Sequence, residues 1–305
     1  MKLDRNFIGT TVLGLALFPT QSSHAFITSP CTTGIASSTN PRSTMSSCSW
    51  TPSTSTTSSS SKLDMIRNRG LERREEGATP LPGGMTLYIK PAADGTSIGD
   101  CPFGHFVRMV LTEKGLDYDL IPSSPENKPQ WLIDDYGGKM PALRHRKECY
   151  VDSEVIAQYL DFFFKEPELS VGGSGETERA SEAVEGFFPA LAKFIKHGGE
   201  NGDEEDLMKQ AVLEERLVAL EEHLGKERTG PYLVGSGEHF TLLDCSMAPK
   251  MYVMEVCLRE IKGNAIDLGK YPNVRKYMDD LFARPSFQST VEYGPETVVW
   301  GWTSH

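Results

Sequence analysis

No two of the six cysteines stand as a Cys-x-x-Cys pair, and their wide spacing suggests neither a disulfide framework nor a zinc site. Long apolar runs are also missing. The most apolar stretch, Phe7 to Phe18, is too short to span a bilayer, and no later stretch is longer. Basic charge is scarce: 31 Lys and Arg stand against 42 Asp and Glu, a net of −11. Nucleic acids and anionic membranes are bound by neutralising phosphate, so this balance disfavours both as partners. Acidic residues are absent from Phe26 to Ser61, where 22 of 36 residues are Ser or Thr and Arg42 is the single basic residue.

A segment of that composition cannot bury enough apolar surface to fold. It follows a short basic start (Lys2, Arg5), the Phe7 to Phe18 run, and small residues ending Ser23-His24-Ala25. Residues 1–61 therefore read as a leader to be removed, a signal peptide followed by a transit segment. The two-part arrangement resembles the plastid leaders of algae whose plastid lies inside extra membranes, which implies a stromal location; secretion is the alternative. The remaining chain carries a net −13 and four cysteines, Cys101, Cys149, Cys245 and Cys257. Residues 62–84, charged and then turn-rich ("ATPLPGG"), read as a linker.

Beyond the linker, "TLYIK" (Thr86 to Lys90) alternates like a strand. Phe103, Phe106, Val107, Val110 and Leu111 follow at helical spacing. Strands are predicted at "DYDLI" (Asp117 to Ile121), "ALRHR" (Ala142 to Arg146) and "CYV" (Cys149 to Val151), and a helix from Ser153. This order predicts a thioredoxin-like α/β domain over residues 85–165. After the Gly-rich break "EPELSVGGSGETE", residues 177–305 read as an all-α domain, with Leu213, Leu217, Leu220 and Leu224 on one helical face. Thr241-Leu242-Leu243-Asp244 is a capping-box start for the helix "DCSMAPKMYVMEVCLREI". Pro249 should kink that helix or lie in its first turns.

The sharpest local feature is "GDCPFGHF". The stripe from Phe103 puts Pro102 at the first helical position and Cys101 at the cap. Helix amides and the positive end of the helix dipole favour a thiolate there, so its pKa should fall from roughly 8.5 towards or below neutrality. That makes Cys101 a candidate nucleophile rather than a small core residue. Cys149, Cys245 and Cys257 lie in a strand or helix interiors and read as core. Gly104 occupies the place of a second redox cysteine, so any oxidised Cys101 needs an external reductant, and a tripeptide thiol fits. Met140-Pro141, if cis, would expose the Met140 backbone to an extended peptide. The Asp152-Ser153 helix start can hold a carboxylate, and Lys90 and Lys128 add positive charge.

The segments "GDCPFGHFVRMVLTEKGLDYDL", "NKPQWL", "GKMPAL", "DSEVI", "LDCSMAPKMYVMEV", "YPNVRKYMDDLFARPSF" and "GWTSH" resemble, in that order, the glutathione-dependent dehydroascorbate reductases of the glutathione transferase superfamily. The resemblance runs from about Met85 to the C-terminus. It implies a glutathione transferase fold and Cys101 as nucleophile. It places Lys90, Asp100, Lys128, Met140, Pro141 and Ser153 around glutathione, and Trp302 near the dehydroascorbate pocket. Glutathione would be a co-substrate, with no tightly bound cofactor and no metal, and the protein a monomer. Two other readings share the thiol or the fold: an omega-like glutathione-dependent thiol transferase, and a chloride-intracellular-channel-like module. Against the channel reading, the first helix carries Arg108, Glu113 and Lys114. The chain departs from the reductase pattern at Gly104 (usually Ser), at His105-Phe106 (usually Gln-Arg) and at Val253, where relatives carry a His associated with ascorbate binding. His105, one turn after Cys101, would either assist ionisation of the thiol or lie solvated on the helix.

Overall fold

The computed structural model describes residues 84–171, 173–226 and 229–304; the leader expected over 1–61 and nearly all of the expected linker lie outside them. The alternating segments become a four-stranded sheet: β1 (Met85–Ile89), β2 (Tyr118–Pro122), β3 (Ala142–His145) and β4 (Glu148–Val151), in the order β2-β1-β3-β4. Strand β1 runs parallel to β2, with Leu87 opposite Leu120, and antiparallel to β3, with Leu87 opposite Leu143. Strand β4 closes the edge antiparallel to β3. Both faces of the sheet are covered. Met85, Leu87 and Ile89 point into the main core with α1 (Pro102–Glu113) and α3 (Ser153–Phe163), while Tyr88 points the other way, to Leu132 of α2 (Gln130–Tyr136).

Four of the five stripe residues of α1, Phe106, Val107, Val110 and Leu111, are buried. Each contributes about 1.5–3 kcal/mol of hydrophobic stabilisation. Phe103 departs from the expected stripe: it is 39% exposed and sets its ring edge-on against Phe188. At the second position of the helix there is no preceding turn to cover it.

The first helix of the helical part opens where the Glu176 carboxylate accepts the Gly173 N–H. The helical part comprises α4 (Ser174–Val184), α5 (Phe187–Ile195), α6 (Glu204–Leu224), α7 (Leu242–Glu260), α8 (Pro272–Phe282), α9 (Pro285–Thr290) and α10 (Pro295–Thr303). Most residues of helix α7 are buried, and it is the centre of the packing, in contact with α1, α5, α8 and α10. Pro249 lies in its interior, and the helix continues through it. Its start is fixed by the buried Asp244 carboxylate. One oxygen accepts from Thr241 N–H (2.9 Å) and Thr241 O–H (2.7 Å), and the other from Leu233 N–H (3.1 Å) and Tyr277 O–H (2.9 Å). No helix among the described residues is long and apolar enough to cross a membrane.

The three charges on α1 are anchors. Arg108 pairs with Glu292 and donates to the Thr290 carbonyl, and Glu113 accepts from Arg284. Lys114 pairs with Asp161 (2.6 Å) and donates to the carbonyls of Phe164 and Pro167. The helix is thereby tied to α9 and the segments flanking it, and to the exit of α3.

Candidate active site

Strand register brings the candidate residues to one end of the sheet. Tyr88 pairs with Ala142, and Ala142 with Val151, so Lys90, Met140-Pro141 and Asp152-Ser153 leave their strands side by side. Ile89 pairs with Pro122, which sends the segment to Lys128 out at the same end.

Cys101 reaches this end through a tight return of the chain. Pro91 bridges Ile98, and Gly99 N–H donates to the Lys90 carbonyl at 3.0 Å. Any Cβ at Gly99 would come within 2.5 Å of the Pro91 carbonyl, so only glycine fits there. Cys101 then caps α1 in an extended conformation, its carbonyl accepting from His105 N–H at 3.0 Å, with Pro102 at the first helical position. The amides of Gly104 and Phe103 favour the thiolate without a side-chain cap hydrogen bond to it. At Gly104 a Cβ would lie 3.2 Å from the Ile89 side chain, so its absence lets α1 settle on β1.

The surroundings of the half-buried Cys101 work against the ionisation expected for it. Ile89, Ile98, Gly104 and Tyr293 line a narrow crevice with the thiol. Burial pushes its pKa above the ordinary value; the Gly104 and Phe103 amides pull it down, Asp100 raises it and Lys90 lowers it. Desolvation outweighs the helix terminus because the helix offers only partial charges, whereas removal from water acts on a full one. Cys149, Cys245 and Cys257 are buried as expected, Cys149 pushed up to about 11 and Cys257 to about 12 by the same desolvation.

Both expectations for His105 fail. The side chain is buried; Nδ1 lies 2.8 Å from the Tyr293 hydroxyl and Nε2 2.9 Å from Thr290 Oγ1, with the ring stacked on Phe287. Burial, with Arg108 beside it, holds its pKa down to about 3, so the imidazole is neutral and joins α1 to the C-terminal segment. It is neither solvated nor charged to stabilise a thiolate.

Lys90 Nζ lies 3.1 Å from the buried Asp100 carboxylate and over the Trp300 ring. Asp100 packs so closely on α10 that a Cβ on Gly301 would lie 2.3 Å from its carboxylate, which accounts for the glycine of "GW". Lys128 Nζ donates to the Gly138 carbonyl at 2.8 Å. The Met140-Pro141 bond is cis, and among the described residues neither the N–H nor the carbonyl of Met140 has a hydrogen-bond partner. Ser153 is the first residue of α3, and the Asp152 carboxylate accepts the Glu154 N–H at 3.0 Å. Trp302 is buried, its ring edge-on to Phe188 at 6.0 Å, with Lys196 over its other side. Phe188 thus bridges Phe103, two residues from Cys101, to Trp302.

Sequence reasoning missed Phe188 and Lys250, whose Nζ lies 5.8 Å from the Phe188 ring centre. Phe188 belongs to the dense apolar run "FFPALAKFI", where one partly buried ring at the edge of the core has no distinguishing signal. Lys250 had one: a single lysine within the otherwise uncharged stretch from Cys245 to Met254. Val253, one turn on, faces the core and is fully buried.

Comparison with known proteins agrees with this architecture. Residues 97–168 match the model of the glutathione S-transferase N-terminal domain and residues 177–280 that of the C-terminal domain. The chain is 36% identical to glutathione S-transferase DHAR2 of Arabidopsis thaliana over 72% of its own length and 97% of the relative's. With the probable chloroplastic glutathione S-transferase DHAR2 of Oryza sativa subsp. japonica, identity is 32% over 67% of this chain and 70% of the other. The crystal structure of Chlamydomonas reinhardtii dehydroascorbate reductase superposes with a TM-score of 0.61 and 31% identity, covering 73% of this chain and 98% of that one. The chain therefore belongs to the glutathione S-transferase family, in its dehydroascorbate reductase branch.

Proposed function

We propose that this protein reduces dehydroascorbate to ascorbate with glutathione, using Cys101 as its single working thiol. The observation that carries the reading is a lone cysteine capping α1 beside two amides and Lys90, at the sheet end where Met140 leaves its backbone unpaired. Glutathione lies extended along Met140-Pro141, its carboxylate at the start of α3 by Ser153, with Lys90, Asp100 and Lys128 around it. Dehydroascorbate enters from the side of Phe103 and Trp302.

The raised pKa means that Cys101 must first lose its proton to water; the two amides and Lys90 then hold the thiolate. The thiolate adds to a carbonyl carbon of dehydroascorbate. Water attacks the sulfur of the adduct, the carbon–sulfur pair of electrons stays with the product, and ascorbate leaves with the sulfur as sulfenic acid. One glutathione displaces hydroxide as water and forms a mixed disulfide. A second glutathione thiolate attacks the glutathione sulfur, releasing glutathione disulfide and the Cys101 thiolate.

We further place the protein in the plastid as a monomer, with residues 1–61 as its leader, 62–84 as linker, and lobes at 85–165 and 177–305. In support of the location, the Oryza relative is named chloroplastic. Purified protein should reduce dehydroascorbate only with glutathione present, and Cys101→Ser should lower turnover by about 1,000-fold or more. Faster turnover on a glutathionylated thiol conjugate than on dehydroascorbate would favour the thiol-transferase alternative instead.

A further inference from the structure

Lys250 is a partly buried lysine of α7. Its Nζ donates to Ser246 Oγ at 2.8 Å and lies over Phe188, yet among the described residues it forms no ion pair. Burial pushes its pKa down, and the one carboxylate that acts on it is Glu154, in the first turn of α3, which pulls the other way. Lysines elsewhere in the interior are matched: Lys114 with Asp161 and Lys262 with Asp206. An ammonium partly removed from water is costly unless an anion meets it, and among the described residues no carboxylate is within ion-pairing distance of Lys250.

The position says which anion that is. Phe188 carries Phe103 on one side at 5.2 Å and Trp302 at 6.0 Å, with Lys250 Nζ at 5.8 Å. Lys250 thus shares the Phe188 ring with Phe103, two residues from Cys101 in the first turn of α1, and with Trp302, while Glu154 of the first turn of α3 acts on it. Resting on the function proposed above, the charge balance of that reaction supplies a partner. Dehydroascorbate arrives neutral, takes up two electrons and one proton, and leaves as an enediolate monoanion; the electrons come from the Cys101 sulfur and the proton from water. Negative charge thus appears on the substrate oxygens only as the reaction proceeds, and a preorganised cation there acts on the transition state rather than on the neutral substrate.

We propose that Lys250 is the group that receives this charge: the substrate-side cation that binds the forming ascorbate enediolate. It supplies a charged donor from the middle of α7.

The test compares wild type with Lys250→Met, which keeps the stem and removes the charge, and Lys250→Arg. Each is assayed with glutathione and dehydroascorbate, and with glutathione and hydroxyethyl disulfide, a substrate that uses the Cys101 thiol but forms no enediolate. Lys250→Met should lower kcat for dehydroascorbate by about 100-fold, as loss of one oxyanion donor does. Its KM for glutathione and its disulfide turnover should stay within about twofold of wild type, ascorbate should inhibit it more weakly, and Lys250→Arg should recover much of the rate. Equal loss on both substrates, a rise confined to the KM for glutathione, or unchanged dehydroascorbate turnover would each overturn the proposal. Wild-type protein inactive on dehydroascorbate but active on the disulfide would instead refute the reductase reading, whatever Lys250 does.

Discussion

Cys101 takes its reactivity from opposing influences, and single neighbours can be used to separate them. Asp100 raises the thiol pKa and Lys90 lowers it. Asp100→Asn should therefore shift the midpoint of Cys101 alkylation by iodoacetamide to lower pH, and Lys90→Met to higher pH. An unchanged midpoint in both would mean that burial alone sets the ionisation. His105 offers a second test with a definite sign. Its pKa falls from 6.5 to about 3 on folding, so the unfolded chain takes up a proton below pH 6.5 that the folded chain refuses. The stability this group contributes is present above pH 6.5 and is lost as pH falls, by about 1.4 kcal/mol per unit. Denaturant unfolding between pH 7 and pH 5 should show that slope in wild type and a shallower one, by that amount, in His105→Gln. The sequence placed His105 one turn from Cys101 but was silent about Tyr293 and Thr290, which come from more than 180 residues away. It likewise revealed the helix terminus at Cys101, a local property, and not the enclosure by Ile89, Ile98 and Tyr293, which only the assembled fold creates.

At the scale of elements, local patterns were the most legible. The strand read at Thr86 to Lys90 forms at Met85–Ile89, and the predicted strands from Ala142 and Cys149 are the antiparallel pair β3 and β4. Alternation and caps are written within a few residues, so they survive being read alone. The capping box of α7 was also legible, although its reach was not: Asp244 additionally holds Leu233 and Tyr277. Asp244→Ala would leave buried donors unpaired on three segments and should cost about 3 kcal/mol in denaturant unfolding. A loss below about 0.5 kcal/mol would show that water replaces the carboxylate. Gly301→Ala tests the contact between α10 and the active-site loop. The added methyl must displace Asp100. Its alkylation midpoint should move in the same direction as that of Asp100→Asn, and an unmoved midpoint would show that the loop absorbs the methyl with Asp100 in place.

Across the whole molecule, the two kinds of layer meet through α1 and α7, and the catalytic thiol of the proposed mechanism sits at the end of that contact. The overall order of elements was readable because each half has its own periodicity, first alternating, then helical. What joins the halves was not, since Phe103, Phe188, Lys250 and Trp302 are dispersed over 200 residues and meet only in space. Arg108, Glu113 and Lys114 illustrate the same limit: in the sequence they are only charges on the first helix, and in the fold they tie segments together.

The claim that one sulfur cycles alone is tested most directly by intact and peptide mass spectrometry of a single turnover. Reduced protein is mixed with one equivalent of dehydroascorbate and then one equivalent of glutathione. The expected result is one ascorbate released per chain and one glutathione joined to the peptide containing Cys101, with Cys149, Cys245 and Cys257 still free thiols. A disulfide between Cys101 and another cysteine of the chain, or ascorbate release from Cys101→Ser at the wild-type rate, would contradict it.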